Sequence, residues 1–333
     1  MRLAVVGAGR MGRRHLQVLA EVAEVEVVAV VDTRPEVLAA LDDVAPGIRR
    51  AEAMEEVLAD VEAILVAAST PAHPVLTAAA LEAGRHLLVE KPLALDPAVA
   101  RRLGDEASRR ELVLQVGFWR RFSPPWRVAW KMVRGGSIGR PVMLRFSQWD
   151  AAAPPPEFCD PAVSGGLAVD CGIHEFDLAQ WLTGDAVTAV RAWGLPTVDP
   201  GVEAVGDLDG LVAVLELDGG AVATVDLSRH ARYGDDVRTE ILGSEGALFV
   251  DVLPAGRIRL GTASGMTEPT EGRCDDALAA GLAAQIRAFA SAVRGRRVRL
   301  PGAEASARAT EIALAVAEAT RSGDRVEVAE VDG

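Results

Sequence analysis

Lys91 ends the apolar run His86-Leu87-Leu88-Val89-Glu90 and is followed at once by Pro92. An ammonium at the end of a buried strand is costly to desolvate unless something pairs with it or uses it. Either Lys91 forms a structural ion pair with Glu90 or snorkels to the surface, or it is a proton partner whose pKa a neighbouring cation lowers. Far along the chain, Asp170 and His174 stand four residues apart, a spacing that on a helix puts both on one face. There a carboxylate can orient an imidazole and support its charge, and Asp177 continues the face at the next turn. An imidazole near neutral pKa is a general base. Beside a hydride acceptor it could take the hydroxyl proton of a secondary alcohol as the hydride leaves. The flanking Leu167, Val169, Ile173, Phe176, Leu178 and Trp181 predict a largely buried helix, where idle polar groups are expensive; a solvated Asp/His pair is the alternative. Cys171, His174 and Asp170 on one helix do not complete a ligand set, so no metal is expected.

A cofactor for such chemistry has its place near the N-terminus. Gly7-Ala8-Gly9-Arg10-Met11-Gly12 follows the first strand and opens the first helix, so the glycines Gly7, Gly9 and Gly12 can admit a pyrophosphate to the helix N-terminus, with Arg10 and Met11 beside it. Asp32, twenty residues past Gly12, can bond both ribose hydroxyls and repel a 2'-phosphate, which favours NAD, and Thr33 beside it is a further cofactor contact. Arg34 keeps NADP as the alternative, and Asp32 could instead cap a helix before Pro35. Ser69, Thr70, Pro71 and His73 follow the third strand and should line the same crevice, together with Glu90 and Lys91 after the fourth. His73 suits an ordinary first-turn position equally well.

The elements that must position these groups change character midway. Short apolar strands at Leu3 to Val6, Val27 to Val31, Ala63 to Ala67, His86 to Val89 and Leu112 to Val116 alternate with helices, which predicts a parallel α/β sheet. Asp96-Pro97 opens one helix and Gly84 closes another. After about Phe122 the period becomes two, as in Val142 to Phe146, and Leu211 to Leu217 is joined to Ala221 to Leu227 through Asp218-Gly219-Gly220. That predicts an α+β second domain with a large, mostly antiparallel open sheet. A single amphipathic helix from about Leu167 to Leu182 would carry Asp170 and His174. The expected domains are residues 1–121 and 122–333, with a C-terminal helix around Ala303 to Arg321 able to pack back on the first.

The chain has 333 residues, 50% of them apolar, enough for two cores. Its net charge of -13 disfavours nucleic acid and anionic membrane as partners and suits a small polar substrate. The N-terminus enters a strand without a signal-peptide pattern, and no apolar run is long enough to span a bilayer, so a cytoplasmic protein is expected. Cys159, Cys171 and Cys274 lack a Cys-x-x-Cys pair and are expected to be reduced.

Gly7-x-Gly9-x-x-Gly12, Thr70-Pro71, Glu90-Lys91-Pro92 and Asp170-x-x-x-His174 together resemble the glucose-fructose oxidoreductase / inositol dehydrogenase family, Gfo/Idh/MocA. Glu90-Lys91-Pro92 is the most specific of these. Gly117-Phe118-Trp119-Arg120-Arg121-Phe122, Pro154-Pro155-Pro156-Glu157-Phe158 before Ser164-Gly165-Gly166, and Ser228 to Gly234 are similar to its inositol 2-dehydrogenase branch. The resemblance implies an NAD-dependent dehydrogenase of a cyclic polyol, with dehydrogenation or reduction of an aldose, nucleotide-sugar or other carbonyl compound as the alternative. A nicotinamide-binding protein without turnover is the remaining one. It implies His174 as base, Asp170 as its orienter, Lys91 as a relay to the reacting oxygen, and a homodimer or homotetramer through the second sheet. Substrate contacts are expected from Lys91, Trp119, Arg120, Gln148, Asp150, Asp170, Cys171, His174 and Tyr233, with Tyr233 equally suited to hairpin packing and Arg121 facing solvent or a carboxylate. Gln148 and Asp150 stand where inositol-oxidising members often carry His and Asn, Trp119 where a smaller or more flexible residue is usual, and Cys171 in place of Thr or Met. The aromatic-rich helix typical of such members is replaced by Ala and Gly between Glu268 and Arg287.

Overall fold

Aliphatic runs in the first third become the strands β1 (Arg2–Val6), β2 (Glu26–Val31), β3 (Arg49–Ala51), β4 (Ala63–Val66), β5 (His86–Val89) and β6 (Leu114–Val116) of one sheet, in a computed structural model that describes residues 1–252 and 256–328. Their order is β3-β2-β1-β4-β5-β6 and every pairing is parallel. Leu3 to Val5, Ala63 to Val66 and Leu87 to Val89 are fully buried, as befits central strands covered on both faces. The order reverses between β1 and β4, which opens a crevice at the carboxyl ends. β3, an Arg-Arg-Ala edge, carries no apolar alternation that would announce it. β6 is shorter than expected because Glu111 turns left-handed (φ 56°) and Leu112 N–H still closes the preceding helix on the Ala107 carbonyl. That helix, Pro97–Arg109, is capped as expected: Asp96 Oδ1 accepts from Ala98 N at 2.8 Å.

By internal contact the chain forms two units, Met1–Trp119 with Gly281–Ala307, and Arg120–Ala280 with Arg308–Gly333. The first is therefore not one continuous stretch ending near residue 121. Pro301 carbonyl accepts from Val116 N at 2.8 Å, Ser306 Oγ accepts from Leu93 N at 2.9 Å, and Glu304 pairs with Arg101.

In the second unit, β7 (Pro141–Trp149), β8 (Val187–Gly194), β9 (Gly210–Leu217), β10 (Val222–Ser228), β11 (Asp236–Gly243), β12 (Gly246–Asp251), β13 (Arg257–Thr262), β14 (Gly265–Thr267) and β15 (Val326–Glu327) form a nine-stranded sheet. Its order is β14-β13-β12-β11-β7-β10-β9-β8-β15, antiparallel except for the β7–β10 pair. Strand alternation sends Leu144, Phe146, Ala223 and Val225 to a buried face. The helices Pro124–Arg134 and Ile173–Thr183 pack on each other, with Trp130 stacked on Trp181 at 5.7 Å between ring centroids. The opposite, polar face holds a depression of about 280 Å³ lined by Arg145, Ser147, Trp149, Thr224, Asp226, Arg238 and Glu240.

One expected element is different. The single helix from Leu167 to Leu182 is two, Gly166–Asp170 and Ile173–Thr183, broken at Cys171-Gly172. The backbone widens into a π-type turn there, with Cys171 N and Gly172 N both donating to Leu167 O. A Cβ on Gly172 would lie 2.8 Å from the Phe176 ring and 2.7 Å from Ala168 O, so only glycine fits. Asp170 thus ends one helix and His174 stands in the first turn of the next.

Candidate active site

In the first unit the chemistry gathers where β1 meets its helix, Arg10–Leu19. Gly7 has φ +94°, and a Cβ there would lie 2.5 Å from the Ala67-Ala68 backbone; a Cβ on Gly12 would strike Gly7 O at 1.9 Å. Gly9, by contrast, faces open space, so the backbone is bare where a pyrophosphate would approach the helix N-terminus. Arg10 is exposed and Met11 half-buried beside it. Asp32 is buried at the end of β2, and its carboxylate accepts from Ala8 N at 2.9 Å, Arg34 N and Arg34 Nε at 3.0 Å, and Arg34 Nη2 at 3.2 Å. Burial opposes its charge, but the Arg34 guanidinium and the two N–H groups prevail and hold the carboxyl below its usual range. Asp32 does not cap the next helix, whose N-cap is Arg34. The residues present therefore suit a dinucleotide whose ribose meets a carboxylate. Thr33, Ser69 and Pro71 are exposed near these strand ends, whereas Thr70 is buried in the turn Thr70–Ala72.

His73 has a different place from a crevice wall. It is buried, with Nδ1 2.7 Å from Pro92 O and Nε2 3.1 Å from Ala68 O, and burial lowers its pKa, so it braces the loop after β4 against the turn after Lys91. Glu90 is likewise buried, and its partner is His15: Oε1 lies 2.6 Å from Nε2. Burial disfavours the Glu90 carboxylate, yet His15 and the Lys91 charge hold its pKa low. The Lys91 backbone N–H also reaches Glu90 Oε2, at 3.3 Å. Lys91 is half-buried, and its bond to Pro92 is cis. Nothing in the motifs named His15, but its position could have. With Gly12, Leu16 and Leu19 it completes the buried i, i+3, i+4, i+7 stripe of its helix, and a buried imidazole needs a partner.

In the second unit, Trp126 underlies a buried network. Arg120, 3% exposed and 5.2 Å from the Trp126 ring centroid, binds Glu175 Oε1 and Gln148 Oε1. Arg121 grips Asp177 through both oxygens, at 2.7 and 2.5 Å, which accounts for the third acid of the expected face. Trp119, half-buried, opens the turn Trp119–Phe122 that carries both arginines. Asp170 Oδ2 accepts from Arg229 Nη2 at 3.2 Å, and the fully buried Arg229 also reaches Asp207 at 2.8 Å. Arg229 went unassigned because it sits in the period-two run after β10, and only the fit of Ser228 to Gly234 to the family hinted at it. Cys171 Sγ lies 3.3 Å from Asp150 Oδ2, and Gln148 Nε2 donates to Asp150 Oδ1 at 3.2 Å. His174 is buried in the first turn of its helix. Tyr233 lies outside this cluster, 72% exposed and donating to Asp236 at 2.8 Å. No group of three or more metal-binding side chains occurs among the described residues.

Comparison with known proteins reaches the same two halves. Residues 1–118 match the oxidoreductase family with an NAD-binding Rossmann fold, and residues 126–249 match the GFO/IDH/MocA C-terminal domain. The chain belongs to the Gfo/Idh/MocA oxidoreductases. Among Gfo/Idh/MocA relatives, it is 36% identical over 75% of its length to myo-inositol 2-dehydrogenase of Thermotoga maritima, of which 75% is covered. It is 33% identical over 80% to scyllo-inositol 2-dehydrogenase (NAD(+)) of Bacillus subtilis, of which 78% is covered. Scyllo-inositol dehydrogenase of Lactobacillus casei, solved with NAD(H) and scyllo-inositol, superimposes with a TM-score of 0.85 at 27% identity, over 99% of both chains. The chain is an NAD-binding oxidoreductase of this family.

Proposed function

We propose that this enzyme oxidises a secondary alcohol of a cyclic polyol of the inositol kind. NAD, when bound, supplies the electron-poor ring carbon that receives the hydride. The glycines of the first loop admit its pyrophosphate, and Asp32 takes its ribose hydroxyls once Arg34 yields part of its hold. His174 takes the hydroxyl proton, Asp170 positions the reacting group, and Lys91 donates to the reacting oxygen. Trp119, Arg120, Gln148, Asp150 and Cys171 frame the substrate.

The observation that carries this reading is the burial of Arg229 against Asp170. A buried guanidinium is expensive, and one spent on holding a carboxylate whose side chain is 14% exposed, four residues before His174, suits a reacting centre better than a scaffold. The test is NADH formation across a panel of inositols, aldoses and nucleotide sugars. Turnover of an inositol is expected; turnover of sugars alone would sink the assignment. His174→Ala and Lys91→Met should each lower kcat by a factor on the order of a hundred or more while NAD still binds. We further propose a homodimer or homotetramer through the polar face of the nine-stranded sheet. A cytoplasmic setting is part of the same reading: Cys159, Cys171 and Cys274 form no disulfide, and no helix among the described residues is long and apolar enough to cross a membrane.

A further inference from the structure

Every buried acid of the substrate-side network has a cation except one. Arg229 serves Asp170 and Asp207, Arg120 serves Glu175, and Arg121 serves Asp177. Asp150, at the end of β7, has none among the described residues. Its partners are neutral: the Gln148 amide on Oδ1 and the Cys171 thiol on Oδ2. The amide cannot turn round, because Arg120 already occupies Gln148 Oε1, so its NH2 must face Asp150. Both neighbours therefore present donors, which suits an ionised carboxylate with lone pairs to spare. The backbone groups of Asp150 are engaged separately, with Ser228 O and Ala231 N. Burial raises the carboxyl's pKa, the Cys171 and Gln148 donors oppose the rise, and the charges of Asp170 and Asp235 add to it. The side chain nevertheless stays within reach of solvent.

We infer that Asp150 is the counter-charge for an ammonium group on the substrate, so that the preferred substrate is an amino-substituted cyclic polyol, with an alcohol oxidised elsewhere on its ring. This rests on the polyol dehydrogenase reading and narrows it. A hydroxyl would satisfy the lone pairs of Asp150 but leave its charge facing that of Asp170; an ammonium answers both.

The test compares scyllo-inosamine, an inositol with one hydroxyl replaced by an amine, with scyllo-inositol, on the wild type, Asp150→Asn and Asp150→Glu. The wild type should favour the amine by about tenfold or more in kcat/KM. Asp150→Asn should bring the ratio to one or below, and Asp150→Glu, which keeps the charge, should keep it above one. A wild-type ratio at or below one, or a ratio that Asp150→Asn leaves unchanged, overturns the inference. Calorimetric binding of scyllo-inosamine to the NAD-loaded protein separates the two readings. Binding that Asp150→Asn abolishes, without turnover of either compound, supports the ammonium site and discards the dehydrogenase reading. Absence of binding beside turnover of inositol does the reverse.

Discussion

His15 and Glu90 form the buried pair that joins the first helix to the end of β5, one residue before Lys91. Removing the acid leaves an imidazole without its partner in a fully buried position, so Glu90→Ala should destabilise the protein by about 3 kcal/mol. The pH dependence has a definite sign. The folded pKa of Glu90 is depressed, so its contribution is complete above the ordinary carboxylate range and fades as acid carries the pH down through the folded value. Urea midpoints of the wild type and Glu90→Ala should therefore differ most near neutrality and converge as the pH falls past the depressed folded value. A gap that ignores pH would show that the pair is not ionic. Lys91 itself was legible in the sequence, because a charge at the end of an apolar strand has to be explained by something. Its support was not: the sequence puts Glu90 beside Lys91, whereas the fold gives Glu90 to a histidine seventy-five residues earlier.

At the scale of elements, the break at Cys171-Gly172 sets where Asp170 and His174 point. Gly172→Ala would push a methyl group against Phe176, which is fully buried, and against the Ala168 carbonyl. Overpacking of this kind costs about 2 kcal/mol. We expect a lower Tm together with a loss of kcat larger than any change in NAD affinity, because the cofactor loop is on the other unit. Equal losses in kcat and NAD affinity would place the break outside the reacting centre. The sequence announced most strands here through their period of two, and the hairpin through Asp218-Gly219-Gly220. It concealed the break, since Leu167, Ile173, Phe176 and Leu178 keep a helical rhythm across it, and a single glycine in such a run reads only as a weak spot. Arg229 stayed hidden for a related reason: pairing across fifty-nine residues leaves no local trace, whereas Gly7, Gly9, Gly12 and Asp32 sit at fixed distances along one strand-helix-strand unit.

At the scale of the molecule, the polar face of the nine-stranded sheet sets the assembly prediction. Trp149 donates to Asp226 at 2.5 Å and lies under Arg238, which leaves an ordered, charged surface. Light scattering should give a dimer or tetramer, and Trp149→Glu, which adds a third acid beside Asp226, should shift it toward smaller species while NAD binding persists. A monomeric wild type would end that proposal.

The return of residues 281–307 to the first unit has a consequence for biogenesis. A ribosome releases the chain from its N-terminus, and the edge at β6 waits for Pro301, the turn after Pro92 for Ser306, and Arg101 for Glu304. The nucleotide half therefore cannot be completed from residues 1–119 alone: its β6 edge and the turn after Pro92 lack these partners until residues 281–307 have been synthesised.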